Sequence, residues 1–396
     1  MDMRDRGVMA ASDAGSDAGA HAGAHAGSGA GRGAGRIAVA ASLAVAVGTA
    51  VAGLAAPAAA EAGSGAPALR FIGAVEIEPG TEYGDTVLGG ISGAVARPGG
   101  GLLAVSDDRD AGPDGPPRVY GLSVDLSDER LDEGDVAIDA VHLLTTETGA
   151  GLDTLKPDPE GIALAPDGML WISSERDTAG RPSVTGFRDF SAVETLDVPE
   201  AYMPGEGRGV RDNSGFESLT ITPDATTMWV AIESALVQDG AKATTEAGTA
   251  IRVLRYHLPS RRLEAEFRYV VDPIARVPVP ADSFADSGLT EMMALADGTL
   301  LMLERSFSVG TEGRGFTCLI YHVDPAGAVP LAEGGGALEK TLVLDLAETG
   351  APVDNMEALA FGPVLPDGRA SLLVLSDDNF VRFGKQSTVI MAFAIE

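Results

Sequence analysis

The chain predicts an all-β fold, a β-propeller of five or six four-stranded blades closed by its N- and C-terminal strands, on three observations. First, the stretch Glu160 to Arg176, EGIALAPDGMLWISSER, recurs as a pattern: an acidic residue, an apolar run, a Pro-Asp-Gly-type turn, a second apolar run, and a polar cluster rich in Asp, Glu and Arg. Copies stand at Ser92 to Arg109, Glu217 to Ser234, Glu291 to Arg305 and Glu357 to Asn379, at intervals of about 57 to 74 residues, the mark of a repeat architecture. Second, from Leu69 onward short apolar runs alternate with Gly, Pro, Asp and Asn, and no stretch holds a helical period for three turns. Third, the last unit lacks a fourth strand while one strand candidate, Ala68 to Glu78, precedes the first complete unit. A terminal strand that completes the last sheet closes the ring and protects its edges.

Taken in order, residues 1–36 form a Gly/Ala/Ser/Asp/His leader of low complexity, with no apolar periodicity to pack and with His21 and His25 as poor ligand candidates. Ile37 to Ala60 carries no charge and ends in Ala58-Ala59-Ala60. With Arg32 and Arg36 before it, this reads as a Sec-type signal peptide; an uncleaved N-terminal anchor is the alternative. Residues 61–396 are expected to form a single domain. Its first unit pairs Ile91 to Ala96 with Leu102 to Ser106, then adds Arg118 to Leu126 and Val136 to Leu144. The second turns at Pro166-Asp167-Gly168 and adds Ser183 to Phe190 and Val193 to Val198. The third turns at Pro223-Asp224 and adds Ala250 to Leu258 and Arg261 to Asp272. The fourth turns at Asp297-Gly298 and adds Thr317 to Asp324 and Lys340 to Leu346. The fifth turns at Pro366-Asp367-Gly368 and adds Thr388 to Ile395.

If the first two strands of each unit are the inner hairpin, the Pro-Asp-Gly turn lies on one face of the disc and both hairpin ends lie on the other. Opening residues are then Ser92, Glu160, Glu217, Glu291 and Glu357, and closing residues Asp107, Glu175, Glu233, Glu304 and Asp377, nine of the ten being carboxylates. Asp108 and Asp378 stand beside the closing positions. So many like charges around one channel repel unless cations or arginines sit among them. Oxygen donors without His or Cys suit Ca²⁺, with Mg²⁺ possible. Arg109, Arg176 and Arg305 follow the closing acids, and Arg208, Arg211 and Lys385 fall in loops on the same face; their forks and charge suit a phosphate or carboxylate.

With 28 Lys and Arg against 58 Asp and Glu, the formal charge is -30, which speaks against nucleic acid or an anionic membrane as a partner. The one cysteine, Cys318, excludes an internal disulfide and a Cys-ligated zinc site and reads as a buried thiol. His142, His257 and His322 fall in outer strands and read as structural, and Trp171 and Trp229 read as packing between blades. There is no G-x-S-x-G elbow, and the Gly-rich pieces lack a strand-to-helix context.

The ordered series GGISG (89–93), SDDR (106–109), PRVY (117–120), DPEGIA (158–163), WISSER (171–176), RDNSGFESL (211–219), GLTEMMAL (288–295), LMLERS (301–306), DNMEALA (354–360) and SDDNF (376–380) resembles the bacterial phytase-like family, "esterase-like activity of phytase". Small departures are Ser218 and Ala358 where a Gly often follows the Glu, and Thr290 where a Ser usually precedes Glu291. The resemblance implies a secreted propeller with phosphoester-hydrolase function. Combined with the ring of acids, the expectation is a monomeric Ca²⁺-dependent hydrolase of a small phosphorylated or related ester. Glu160, Glu217, Glu291 and Glu357 would activate water, Asp107, Asp108, Glu175, Glu233, Glu304, Asp377 and Asp378 would hold metal, and Arg109, Arg176, Arg211, Arg305 and Lys385 would bind the anion. The alternatives are a metal-dependent lactonase-type propeller and a non-catalytic extracellular binding propeller.

Overall fold

A computed structural model describes residues 65–107, 116–149, 152, 158–382 and 384–396 of the chain. The expected leader and signal region, together with Asp108 and Arg109, lie outside these residues. Strand β1 (Leu69–Ile77) is followed by a short hairpin of β2 (Glu82–Tyr83) and β3 (Thr86–Val87). Blade one is β4 (Ile91–Ala96), β5 (Leu102–Ser106), β6 (Arg118–Val124) and β7 (Val136–Leu143). Blade two is β8 (Pro159–Leu164), β9 (Leu170–Ser174), β10 (Ser183–Arg188) and β11 (Ser191–Thr195). Blade three is β12 (Phe216–Ile221), β13 (Thr227–Ile232), β14 (Thr249–His257) and β15 (Arg262–Val271). Blade four is β16 (Ala285–Ala294), β17 (Leu300–Ser308), β18 (Phe316–Val323) and β19 (Lys340–Asp345). Blade five is β20 (Asn355–Phe361), β21 (Ser371–Asp377) and β22 (Thr388–Ile395), completed by β1.

The blade number is therefore five. The first strands touch one another in the order β4, β8, β12, β16, β20 and back to β4, which closes the ring. β1 runs antiparallel to β22 from Leu69 opposite Ile395 to Ile77 opposite Thr388, the terminal closure that the leftover strand implied.

Apolar residues of facing sheets fill the spaces between blades. Trp171 packs with Phe216 and Tyr202 between blades two and three, and Trp229 with Phe267, Met292 and Met302 between three and four. Leu303 and Cys318 meet Met356 and Phe393 between blades four and five. Tyr120 and Leu102 meet Leu375 and Ile390 at the closure, and Val105 and Val119 meet Ile172 and Phe187 between blades one and two. Each such side chain, fully buried, contributes about 1.5–3 kcal/mol, and this packing sets the ring. His142 stacks on Phe190 at 3.9 Å, and His257 Nδ1 lies 2.8 Å from Ser260 Oγ, both in outer strands.

In blades two to five the turns between first and second strands are shaped by aspartates. Asp167, Asp224, Asp297 and Asp367 each accept the backbone N–H two residues on, at 3.0 Å; such Asx turns reverse the chain locally. The opposite ends of the hairpins hold a feature that alternation does not encode. In every first strand the register slips by one residue, between Ile91 and Gly93, Pro159 and Ile162, Phe216 and Ser218, Leu289 and Glu291, and Met356 and Ala358. A bulge of this kind re-aims one side chain out of the pleat. The same bulge in all five blades directs one residue per blade to the same end of the ring.

Candidate functional site

The bulges define which residues are equivalent. The bulged residue is Ser92, Glu160, Glu217, Thr290 and Glu357 in blades one to five. Two residues earlier stand Gly90, Asp158, Gly215, Gly288 and Asn355. Opposite these lie Asp107, Glu175, Glu233, Arg305 and Asp377, through the backbone bonds Asp107 N to Gly90 O (2.8 Å), Glu175 N to Asp158 O (2.9 Å) and Glu233 N to Gly215 O (3.0 Å), and the pairs Gly288 with Arg305 and Asn355 with Asp377.

Blades two and three form an acidic arc. One carboxylate oxygen each from Asp158, Glu160 and Glu175 lie within 4.8 Å of one another, and so do one each from Glu175, Glu217 and Glu233. All five residues are buried. Glycines make the close approach possible. A Cβ on Gly215 would lie 2.4 Å from the Glu175 carbonyl oxygen, and one on Gly288 would lie 2.4 Å from Glu233 Cγ. Gly215 N–H also donates to Glu175 Oε1 at 3.0 Å and orients that carboxylate. Glu217 is 7 % exposed and its Oε2 has no hydrogen-bond partner among the described residues.

Burial is the main reason that the Glu217 carboxyl is held well above the usual range, followed by the negative charges of Glu233, Glu175 and Glu357, with Arg305 opposing them. Glu160 is raised in the same way, by burial and then by Glu217, Asp158, Glu175 and Asp107. Three or more like charges in a desolvated site either take up protons or hold a cation.

Blades four and five form a neutralised arc. Arg305, in the place of a closing carboxylate, donates to Glu233 Oε1 at 2.5 Å, Glu357 Oε1 at 2.7 Å and Asn355 Oδ1 at 2.5 Å. Asn355 Nδ2 donates in turn to Glu357 Oε1 at 2.8 Å and Asp377 Oδ2 at 3.4 Å. Asp377 is raised well above the ordinary aspartate range, by burial first and then by Glu357, Asp107 and Asp378. Thr290 spends its hydroxyl on the carbonyls of Met356 (3.0 Å) and Leu303 (3.3 Å).

The structure thus brings together Asp107, Glu160, Glu175, Glu217, Glu233, Glu357 and Asp377, and with them Arg305, which acts as an internal counter-ion. Two expected members are elsewhere. Glu291 sits one residue past the bulge, buried between first strands, where it accepts the N–H groups of Met292 and Leu219; burial pushes its carboxyl up, and no charged neighbour contributes. Glu304 sits one residue before the closing position. It accepts from Tyr269 (2.5 Å), Asp272 N (2.8 Å) and Lys340 (2.5 Å) in a network between blades three and four.

Among the arginines, Arg176 reaches the ring, pairing with Asp158 at 3.1 Å and with exposed Asp212 at 2.5 Å. Arg211 instead binds the Ala235 (2.9 Å) and Gly240 (2.5 Å) carbonyls and holds a loop. Lys385 is exposed in the β21–β22 connection. Asp378 is buried and accepts from Gly90 N at 3.2 Å and Phe380 N at 3.0 Å. Asp158 and Asn355 were not foreseen. Their one sequence signal is a polar side chain two residues before Glu160 and Glu357, where the other blades have glycine.

Residues 86–380 match the family described as phytase-like, esterase-like activity of phytase. The chain belongs to this family. A curated relative, an uncharacterized secreted protein of Arthroderma benhamiae, is 28% identical over 209 residues; the match takes in 45% of this chain and 40% of that protein, so the chain spans two fifths of the relative's length. The fold is similar to that of an endo-arabinase of Bacteroides thetaiotaomicron (TM-score 0.44, 13% identity, 77% of this chain and 93% of that one). It is also similar to that of a gluconolactonase of Xanthomonas campestris (TM-score 0.33, 11% identity, 79% and 87%). Among the described residues of this phytase-like chain, no helix is long and apolar enough to cross a membrane.

Proposed function

We propose that this phytase-like propeller is a divalent-cation-dependent hydrolase of phosphate esters or related esters, with the acidic arc of blades two and three as its metal centre. The supporting observation is Glu217, a buried carboxylate with an oxygen that has no hydrogen-bond partner among the described residues, set among Glu175 and Glu233. Donors that are all carboxylate oxygens fit Ca²⁺ first, and Mg²⁺ if waters complete its shell. Asp158, Glu160, Glu175, Glu217 and Glu233 would hold the cation, which when bound supplies positive charge for the ester's anionic oxygens. The side chains do the rest. Without the cation, Glu160 and Glu217 are held above the usual carboxyl range by burial and by like charges, and binding of the cation would displace the protons they keep. Arg176 would bind an anion by exchanging its contact with exposed Asp212, and Lys385 would add positive charge. Arg305 holds Glu233 and Glu357 in position. Glu291, Glu304 and Arg211 have no part in this reading. The protein would act outside the cell as a monomer on a small anionic substrate, a localisation supported by the signal-like leader and the secreted relative.

The test is thermal melting in EDTA and in Ca²⁺, with phosphate release from a panel of esters beside lactone opening. Ca²⁺ should raise the Tm and be required for phosphate release; Glu217→Gln should raise the Tm in EDTA, weaken the Ca²⁺ response and lower turnover. A Tm that Ca²⁺ does not move would sink the metal centre. Turnover of lactones alone would replace the phosphoesterase by a lactonase, and turnover of neither would leave an extracellular binding propeller.

A further inference from the structure

We infer that a raised wall on blade four binds an apolar group of the substrate, with Phe284 and Val279 as contact residues. The preferred ester then carries an aromatic or other apolar group and is not a compact polyanion; the inference rests on the proposed hydrolase and names its substrate class. In blades one, two, three and five the pairing of first and second strands stops at the ring or one residue short of it. In blade four β16 and β17 continue for three more pairs, from Gly288 opposite Arg305 to Ala285 opposite Ser308. Backbone bonds carry the extension further: Val309 N–H donates to the Phe284 carbonyl at 3.1 Å, and Val279 N–H to the Val309 carbonyl at 2.8 Å. Side chains alternate along a strand, so Phe307 lies on the face of β17 that carries Arg305, about 7 Å farther along. The Phe284 ring packs on Phe307 with centroids 6.1 Å apart, and Phe307 packs in turn on Phe316 at 4.8 Å. The outer members of this row are uncovered: Phe284 is 64 % exposed and Val279 61 %, and Val277 and Val309 are exposed beside them. Single exposed apolar side chains are ordinary, but several joined on one backbone extension mark a binding surface. Two observations say what occupies it. The first is continuity, since the aromatic row stands on the same strand face as Arg305, which reaches Glu233, Glu357 and Asn355 in the ring. The second is charge. Arg176 and Arg305 are already paired with ring carboxylates, so a highly charged anion gains little from the protein, and a weakly charged ester must draw affinity from apolar contact.

The experiment uses phenylphosphonate and 4-butylphenylphosphonate, unreactive analogues that differ only in the apolar tail, with the matching phosphate esters as substrates. Calorimetry titrates Ca²⁺ into the metal-stripped full-length protein and then each phosphonate into the loaded protein. The butyl compound should bind about tenfold tighter, and the KM of its ester should be lower by a similar factor. In Phe284→Ala that ratio should fall below about threefold, and in Phe284→Leu, which keeps an apolar side chain, most of it should return. The Ca²⁺-induced rise in Tm should be that of the wild type in both variants, because Phe284 is exposed and stands off the ring. Equal binding of the two phosphonates, or a ratio that survives Phe284→Ala, overturns the wall, while turnover of the esters beside either result leaves the hydrolase standing. A ratio kept in binding without turnover of any ester keeps the wall and overturns the hydrolase. Binding of neither phosphonate overturns the wall, and turnover then decides the hydrolase separately. A dimer in sedimentation that Phe284→Ala dissociates assigns the wall to a second copy and overturns it as a substrate contact.

Discussion

Replacing Arg305 by methionine removes the guanidinium that balances the blade-four side of the ring. The side chain is 16 % exposed and donates to Glu233, Glu357 and Asn355 at 2.5, 2.7 and 2.5 Å. Breaking a buried ion pair by removing one partner costs about 3–5 kcal/mol, because the other charge stays behind in a site that cannot solvate it. Two carboxylates are stranded here, but they belong to one network and their losses do not add. We therefore expect a total near the upper part of that range, roughly 4–5 kcal/mol in metal-free protein. At about 2 °C per kcal/mol for a domain of this size, the Tm should fall by roughly 8–10 °C. Arg70→Met is the control, since its ion pair with Glu396 is 44 % exposed on both sides and a pair of that kind is worth under about 1 kcal/mol. The assay is urea and thermal unfolding of both variants in EDTA at about pH 8 and about pH 5.5. The loss in Arg305→Met should shrink at the lower pH, because a stranded buried carboxylate can then take a proton, and Ca²⁺ should restore part of it by replacing the lost charge. A loss no larger than that of the control, or one indifferent to both pH and Ca²⁺, would refute the counter-ion role.

The wild-type ring has its own pH dependence. Glu160, Glu217 and Asp377 have folded pKa values raised above their unfolded ones, so the stability they contribute is fully present below the ordinary carboxyl pKa and is lost as pH rises through the folded values. In EDTA the Tm should fall between about pH 5 and about pH 8, and Ca²⁺ should flatten that slope; a metal-free Tm that climbs across this window would contradict it. Surface carboxylates such as Asp139, lowered mainly by its hydrogen bond to Arg97, act in the opposite sense but at pH values below the ordinary 3.8. Glu291→Gln should leave the Ca²⁺ stoichiometry of the wild type unchanged, since its carboxyl faces backbone N–H groups and no charged residue of the ring; a lost ion in that titration would mean that the blade-four register is misread. Cys318, fully buried with its thiol pushed up to about 12, should resist a thiol reagent at about pH 8 until the protein is unfolded, and rapid labelling of the native protein would show that the seam between blades four and five opens.

The repeat, the strand count and the terminal closure were legible because turns and alternation are local properties. An Asp two residues ahead of an N–H makes the turn wherever it occurs, and a leftover strand has one sheet to join. The ring was legible in blades two, three and five, where an acidic residue occupies the bulge itself, and it was misread in blade four. There the eye settles on Glu291 because it is acidic, whereas the backbone counts from the glycine: Gly288-Leu289-Thr290 is the counterpart of Gly215-Phe216-Glu217, which also moves the closing position from Glu304 to Arg305. Aligning the repeats on that glycine would have found the shift. It would also have exposed Asp158 and Asn355, the two places where the glycine itself is replaced by a side chain that reaches the ring. Neither residue is distinctive alone, since Asp and Asn are common in loops; their meaning comes from what lies across the strand pair. The blade-four shift has a functional consequence. A ring with a carboxylate at every closing position would attract cations all the way round, and no part of it would differ from another. With Arg305 in one position and Asn355 holding Glu357 and Asp377 beside it, the blade-four side of the ring is neutralised from within, while on blade two Arg176 pairs with Asp158. If the carboxylates about Glu217 hold a cation as proposed, a substrate would meet a centre that has a defined side and orientation.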